Sequence, residues 1–596
     1  MEASKPLIIS FYQSLFSDVS DLLPSEPLQT SLTFLMERNW PDFIRPLSAL
    51  GKSFESTLIS GVKLLVPDEF ELEPGTELPK FCFCLFTAIL NDAGYRRYTY
   101  DGGVRDTLTF EFDGYVQAKR IQPLYVLILR QILLAWSKVT DIETIASEQD
   151  EINSFVQRIQ TPGDVRLDSG TLSWARYLLR TLFTEDGELD ASIQQWIEDP
   201  FGRHGPGAVF DGSQGSEKWD FQRKSGLDDR AYGLYPHTSP RSYDLSEDSP
   251  LMSRLCVVPK DFRAHRLICI ESKEAMFHQQ GLLQVINSLV SRHFLTRRSI
   301  DFTSQTRSMC ISKDMRNATI DLSDASDRVS LQLCRLILPR SLFSLLTRYR
   351  SRMIELPDGQ LVSDYETMFT MGNALCFPTE TLVFWAISLA AMLNADSERV
   401  SDYPESSQLA KLLARYRLRV FGDDIIIPTR YYEPVRCALI NSGLVVNTAK
   451  SCDSTLVREA CGSWWYMSTD VRITRFHYTE VASLREWISL LEAAKELYRN
   501  GFHLAARSVL NELEATHSVP YGYFGLPGQC KLEGNCFRWN SSLQRMEFKT
   551  PSLITSEGLT CLPGEVGFYA YFTQQATKAV IPADAQRIIW IWVGLE

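Results

Sequence analysis

Residues 417–429, RLRVFGDDIIIPT, set two adjacent carboxylates beside a glycine between two apolar runs. Few local sequences leave a chain less freedom. Val420 and Phe421 on one side and Ile425, Ile426 and Ile427 on the other predict two strands, and Gly422 permits the positive φ of a tight hairpin turn. Asp423 and Asp424 then stand at a hairpin tip. Side-by-side carboxylates repel one another unless a cation neutralises them, and hard oxygen donors of this kind suit Mg²⁺ or Mn²⁺. Gly-Asp-Asp by itself is more often a solvated turn than a metal site, so its meaning depends on what accompanies it.

What accompanies it lies well upstream. Residues 317–327, NATIDLSDASD, predict a short apolar strand that ends at Asp321 and runs into a polar turn. A carboxylate there can face the hairpin tip across a sheet. Two strand-end carboxylate clusters brought together are what two-metal phosphoryl transfer needs, with ions roughly 3.5–4 Å apart, one at the attacking and one at the leaving oxygen. A polymerase is the leading reading.

At 596 residues the chain is too long for one ordinary core, and 44% apolar with 22% charged is a normal globular composition. A formal charge of −12 looks wrong for a nucleic-acid protein. Its distribution answers this, because residues 254–316 carry eleven Lys/Arg against five Asp/Glu. Such a stretch is either a solvated face or the lining of a channel. Thirteen cysteines without a CxxC pair fit reduced thiols in a cytosol better than a disulfide frame or a zinc site. No signal peptide is expected, and the apolar run 121–136, interrupted by Arg130, predicts a buried helix rather than a membrane span. The sequons at Asn317 and Asn540 are expected to be chance.

Along the chain, residues 1–200 predict mostly helices, at 6–23, 28–50, 125–136 and 173–183. Residues 202–212, GRHGPGAVFDG, read equally as a linker or as a loop whose amides and Arg203 approach phosphate, and the continuation to 249 reads as a mobile surface segment. In 257–271, VVPKDFRAHRLICIE, the cations Lys260, Arg263 and Arg266 recur every three residues over a loop and a strand start, where they could hold a triphosphate. Helices are predicted at 277–295 and 329–350, and a hairpin around Asp358-Gly359. The loop 371–380, MGNALCFPTE, leads into 381–393, a helix apolar nearly all round and therefore buried. Within the loop Gly372 allows close backbone approach, and the Asn373 amide can hydrogen-bond a ribose hydroxyl. Beyond the hairpin, a helix (431–442), a strand (444–447) and Lys450 follow, the last a possible proton donor to pyrophosphate. Residues 459–466, EACGSWWY, predict a turn with aromatics that support a growing strand or pack in the core. Helices at 481–498 and 503–515 open the last segment.

Together the segments VPKDFRAHRLICIES, ATIDLSDASDRVSL, LPDGQLVSDYETMFTMGNALCFPTETLVFW, VFGDDIIIP, GLVVNTAKS and REACGSWWYMSTDV resemble, in order and spacing, the replicase of the positive-strand RNA bacteriophages (leviviruses). More distantly they are similar to narnavirus and mitovirus polymerases. The resemblance covers roughly residues 254–475. It implies an α+β right-hand polymerase with an antiparallel-sheet palm and helix-rich N- and C-terminal regions. The expected division is a helical region (1–200) packing on fingers and thumb, fingers (201–316), palm (317–475, with a fingers insertion within 340–370), and thumb with the C-terminal region (476–596).

The resemblance further implies RNA-directed RNA synthesis with two Mg²⁺ ions, Mn²⁺ being the alternative. Asp321, Asp423 and Asp424 would be the metal carboxylates. Lys260, Arg263 and Arg266 would bind the triphosphate, Gly372 would belong to the nucleotide site, Asp327 and Asn373 would read the ribose 2′-hydroxyl, and Lys450 would be the general-acid candidate. Two departures stand out. The family's tyrosine before Gly-Asp-Asp is Phe421, and Asp324 adds a carboxylate where the family has alanine, which leaves two acids in that turn to face the ribose. Implied partners are single-stranded RNA template, nascent RNA, ribonucleoside triphosphates and, for some members, host translation elongation factors, with no membrane. Primer-independent initiation and the cytoplasm of an infected bacterial host follow from the same resemblance. The competing readings are a reverse transcriptase or other two-metal phosphotransferase, and an RNA-binding polymerase-like subunit without catalysis. The Asp327–Asn373 pair argues for ribonucleotides, and three retained metal carboxylates argue for catalysis.

Overall fold

The computed structural model describes residues 5–22, 25–36, 43–90, 112–140, 142–214, 217–218, 251–363, 365–396, 409–410, 413, 416–453, 456–515, 537–542, 544–554 and 587–594. The segment read as mobile, 213–249, therefore lies largely outside the described residues. Strands are numbered in chain order and helices are given by their bounds.

The centre is a three-stranded antiparallel sheet, β5 (Asn317–Ile320), β10 (Asp424–Pro428) and β9 (Arg419–Phe421), with β10 in the middle. Its apolar residues explain its place. Ile425, Ile426 and Ile427 are fully buried, as are Ala318 and Ile320 opposite them, so both faces of the central strand are covered. One cover is the helix Cys376–Ala395, apolar all round and packed against Ser169–Phe183. It is long and apolar enough to cross a membrane, but 89% of it is buried inside the protein. The expected helix thus begins several residues early, at Cys376.

A four-stranded sheet stands beside this centre. β3 (Met252–Asp261) and β4 (Ala264–Glu271) form a long hairpin, β7 (Met353–Glu355) joins β3 in parallel, and β8 (Leu361–Ser363) closes the edge in the order β4-β3-β7-β8. The predicted Asp358-Gly359 turn links β7 to β8, with Gly359 at φ +85°. The cations 260–266 accordingly sit on a β-hairpin with a two-residue turn, not on a loop. Helix Glu148–Gln160 packs on this sheet through Ile152, Phe155 and Ile159, which share a core with Leu255, Cys269 and Ile354.

The remaining helices obey local signals. Ser147, Asp168 and Ser272 cap the helices Glu148–Gln160, Ser169–Phe183 and Lys273–Arg292 by accepting backbone N–H bonds. The helix predicted over 329–350 is two, Leu331–Ile337 and Arg340–Arg348, because Pro339 cannot continue the first. The helix predicted over 28–50 is likewise two, Ser25–Met36 and Ile44–Ser60. A second large core joins the N-terminal helices to Leu484–Arg499, His503–Glu514 and the hairpin of β12 (Val457–Ala460) and β13 (Ser463–Tyr466). Its polar pin is Arg130 on the helix Phe112–Leu134. The guanidinium meets Glu55 at 2.8 Å, donates to the Val471 carbonyl and lies 3.8 Å over the Trp464 ring. The interruption in the apolar run 121–136 is thus a buried charge with a partner. Asn317 is buried within β5 and donates to the Ile311 carbonyl, which suits a chance sequon. All ten described cysteines are free thiols.

Candidate active site

The hairpin tip forms as its sequence dictates. Phe421 pairs with Asp424, so Gly422 and Asp423 are the whole turn, and Gly422 sits at φ +57°. A Cβ there would lie 2.7 Å from the Phe377 ring, so glycine is demanded by space as well as by backbone. The turn is also held from below. Thr381 Oγ1 accepts the Gly422 N–H at 3.0 Å, and the Phe377 ring meets Phe421 edge-on with centroids 4.9 Å apart.

Register then brings in the third carboxylate. β5 and β10 pair Ile320 with Ile425, so the next antiparallel position sets Asp321 opposite Asp424. The backbone around Asp321 is fixed by Asn447 and Ser451: the Asn447 N–H donates to the Asp321 carbonyl at 2.9 Å, and Ser451 Oγ accepts the Asp321 N–H at 3.2 Å. Asn447 Nδ2 donates to Asp321 Oδ2 at 2.9 Å, and Lys450 Nζ lies 3.5 Å from Oδ1.

The electrostatics of the three acids follow from crowding. Burial pushes Asp424 up to about 7, with the charges of Asp423 and Asp321 adding to it. Burial and Asp423 also push Asp321 up, against the pull of Lys450. Asp423 is raised by burial despite Lys450, Lys260 and Arg266, whose positive charges all reach it. The hairpin cations at 260 and 266 therefore act on the aspartate tip. Arg263, in the turn between them, is paired with Asp261 at 2.7 Å. Lys450 is desolvated, which lowers its pKa, but Asp321, Glu459 and Asp423 outweigh this and raise it. A divalent cation is the natural relief for such a cluster, and its all-oxygen chemistry suits a hard ion. Among the described residues, no three His, Cys, Asp or Glu side chains form a closed ligand set as they stand.

Two further carboxylates are electrostatically coupled to this cluster. Glu380, at the start of the buried helix, is pushed well above the usual range by burial and by Asp423 and Asp327. Glu459, on β12, is raised by burial and by Glu55. Both lie inside quoted motifs, but nothing in spacing marks them.

The sugar-reading candidates are held by other elements than the aspartate tip. Asp327 is buried, and Arg158 donates to its Oδ2 through Nε and Nη2, both at 3.2 Å. Burial still raises its carboxyl to about 6, against the Arg158 charge. Asp324 is far more exposed and adopts φ +51°, so Asp327 is the inward-facing acid of this turn. Asn373 donates from Nδ2 to Glu271 Oε1 at 3.0 Å and accepts the Leu375 N–H on Oδ1 at 2.9 Å. Glu271 in turn accepts from Ser351 at 2.5 Å and Gln279 at 3.3 Å. Gly372 shows the close approach its sequence suggested. It sits at φ +113°, and a Cβ would fall 2.1 Å from the Cys269 carbonyl oxygen of β4. Of the aromatic pair after the site, Trp464 is core under Arg130, whereas half-buried Trp465 bonds Ser312 at 3.0 Å with the Lys313 ammonium 5.7 Å from its ring.

Residues 238–495, which hold every one of these candidates except Arg158 and Glu55, match the protein family described as RNA replicase, beta-chain. This segment resembles a leviviral replicase. The RNA-directed RNA polymerase subunit beta of Enterobacteria phage SP is 36% identical over 226 residues, covering 37% of this chain and 35% of its own length. That of Escherichia virus Qbeta is 30% identical over 294 residues, covering 47% of this chain and 46% of its own. The match thus spans less than half the length of these curated relatives. Among solved structures, the RNA-dependent RNA polymerase of a human picorbirnavirus covers 67% of this chain and 80% of its own at 12% identity, with a TM-score of 0.40.

Proposed function

We propose that the chain is an RNA-directed RNA polymerase that replicates a single-stranded viral RNA genome by nucleotidyl transfer. The observation that carries this is the convergence of Asp321, Asp423 and Asp424 at one sheet end, with the charges of Lys260 and Arg266 reaching Asp423, inside the replicase-like segment. Two bound divalent ions, Mg²⁺ or Mn²⁺, would activate the attacking 3′-hydroxyl and stabilise the departing pyrophosphate. The three aspartates would hold those ions. Lys260 and Arg266, exposed on the β3–β4 hairpin, bind the triphosphate, and Arg263 braces the hairpin tip through Asp261. Lys450, 3.5 Å from Asp321, protonates the leaving group. Asp327 and Asn373, with Gly372 closing the loop on β4, read the 2′-hydroxyl.

In this reading the molecule is a right-hand polymerase. The palm spans 317–475 around β5-β10-β9, the fingers take 201–316 and the β7–β8 insertion within 340–370, and 476–596 form thumb and C-terminal region. The helices of 1–200 pack on both. The protein works without a primer in the cytoplasm of an infected bacterium, on single-stranded template and nascent RNA, with host elongation factors as partners.

The test is incorporation of labelled ribonucleotides by the full chain on single-stranded RNA with Mg²⁺, with and without host-cell extract, beside Asp423→Asn. Template-dependent product lost in the variant supports the polymerase. A folded wild type that binds RNA but yields no product under either condition points instead to a non-catalytic subunit.

A further inference from the structure

We propose that Arg158 is a positioning residue for sugar selection, its guanidinium fixing the Asp327 carboxylate in the orientation that reads the 2′-hydroxyl of the incoming nucleotide. The inference rests on the polymerase reading and extends it to the helix Glu148–Gln160, which lies outside the replicase-like segment.

Hydrogen-bond accounting supports the role. Arg158 takes Asp327 Oδ2 with two nitrogens at 3.2 Å, and Ser326 Oγ lies 3.3 Å from Oδ1. A carboxylate oxygen accepts about two bonds, so Oδ2 is filled and Oδ1 retains capacity for a substrate hydroxyl. The two nitrogens fix the position of Oδ2, and Ser326 on Oδ1 sets the direction of the second oxygen; one flexible ammonium would hold Oδ2 less firmly. Arg158 also lies 3.8 Å from Asp324, a weaker contact that Arg328 shares at the same distance.

The arginine is itself anchored on both sides. Beyond it, the Ile159 carbonyl accepts the N–H groups of Glu366 at 2.8 Å and Thr367 at 3.2 Å. Thr367 Oγ1 then lies 3.2 Å from the Ser326 carbonyl, next to Asp327. Earlier in the same helix, Glu151 accepts the His265 N–H and lies 2.5 Å from His265 Nδ1 on β4. Helix end, segment 366–367 and the Asp327 turn therefore form one hydrogen-bonded unit, while the helix start is tied to the hairpin carrying Lys260 and Arg266. Sugar reading and triphosphate binding share this helix as a common support. A solvated ion pair is the competing interpretation, and such pairs matter little. Here the Asp327 side chain is only 11% exposed, where an unpartnered charge is costly.

The test compares the full chain with Arg158→Lys, which keeps the charge but loses the fork, and Arg158→Gln, which loses the charge. Single-nucleotide incorporation is measured with a ribonucleotide and its 2′-deoxy counterpart, with folding monitored by thermal melting. The expected result is a fall in kcat/KM for the ribonucleotide of about tenfold in Arg158→Lys and more in Arg158→Gln, with the deoxynucleotide changed less than about twofold, since it offers no hydroxyl to misread. An equal fall for both sugars, no change for either, or unfolding of both variants overturns the positioning role. Failure of the wild type to incorporate either sugar, with and without host-cell extract, overturns the polymerase reading beneath it.

Discussion

The two ends of the candidate site are built on opposite principles. At the aspartate end, three carboxylates gather through a two-residue turn and one strand register, and the neighbouring cations leave all three raised above ordinary carboxylates. At the sugar end, Asp327 and Asn373 are each satisfied by a partner far away in the chain, Arg158 and Glu271. The first end crowds three like charges together, with Asn447 and Lys450 holding only Asp321 among them. The second holds one acid and one amide, each against its own partner. Chemistry that needs a cation benefits from unrelieved charge, whereas discrimination between two sugars benefits from groups that cannot move.

The contrast can be broken or sharpened by substitution. The largest effect belongs to the aspartate end: Asp321→Asn should lower incorporation of ribo- and deoxynucleotides alike by about a thousandfold or more, because the metal-holding charge is lost. RNA binding in a filter assay should be retained, and its loss would mean the sheet rather than the charge was damaged. Next, Gly372→Ala drives a Cβ into the Cys269 carbonyl at a positive φ, so the loop carrying Asn373 must shift. A stability loss of about 2–3 kcal/mol by denaturant titration and weaker ribose discrimination are expected. A smaller effect concerns the hairpin tip. Burial opposes ionisation of Asp261, but the bonds from Arg263 and Lys138 overcome it and hold the carboxyl well below its usual range. A depressed folded pKa gives stability that is present above the unfolded value, near 4, and is lost as pH falls through the folded one. Asp261→Asn should therefore cost about 1–3 kcal/mol at pH 7, and the melting temperatures of variant and wild type should converge as pH drops below about 4. The smallest change is Phe421→Tyr, which adds a hydroxyl to a ring already packed on Phe377. Incorporation should change less than about threefold, consistent with sub-kcal/mol adjustments at a half-buried position.

The same contrast explains what the sequence disclosed. The Gly-Asp-Asp tip, its flanking strands, the Asp321 strand and the buried helix after Asn373 are written in residues adjacent to one another, where turn chemistry and apolar runs operate. Arg158 gives no local sign, because its helix shows only the apolar spacing of Ile152, Phe155 and Ile159 and the arginine flanks that stripe as any surface cation would. Glu271 reads as the polar end of a strand until Asn373 arrives from 102 residues away. Other features are hidden locally as well: Pro339 splits a helix that apolar periodicity alone runs together, and the threefold spacing of 260, 263 and 266 does not show which of these cations sits on a strand and which in the turn. On a hairpin, Arg263 occupies the turn and turns to Asp261, while Lys260 and Arg266 lie on the strands.

The most direct measurement is kcat/KM for a ribonucleotide and its 2′-deoxy counterpart in wild type, Asp423→Asn and Asn373→Ala. The account predicts that Asp423→Asn loses both substrates together, while Asn373→Ala loses efficiency only with the ribonucleotide. Equal losses for both sugars in Asn373→Ala, or survival of either substrate in Asp423→Asn, would contradict it.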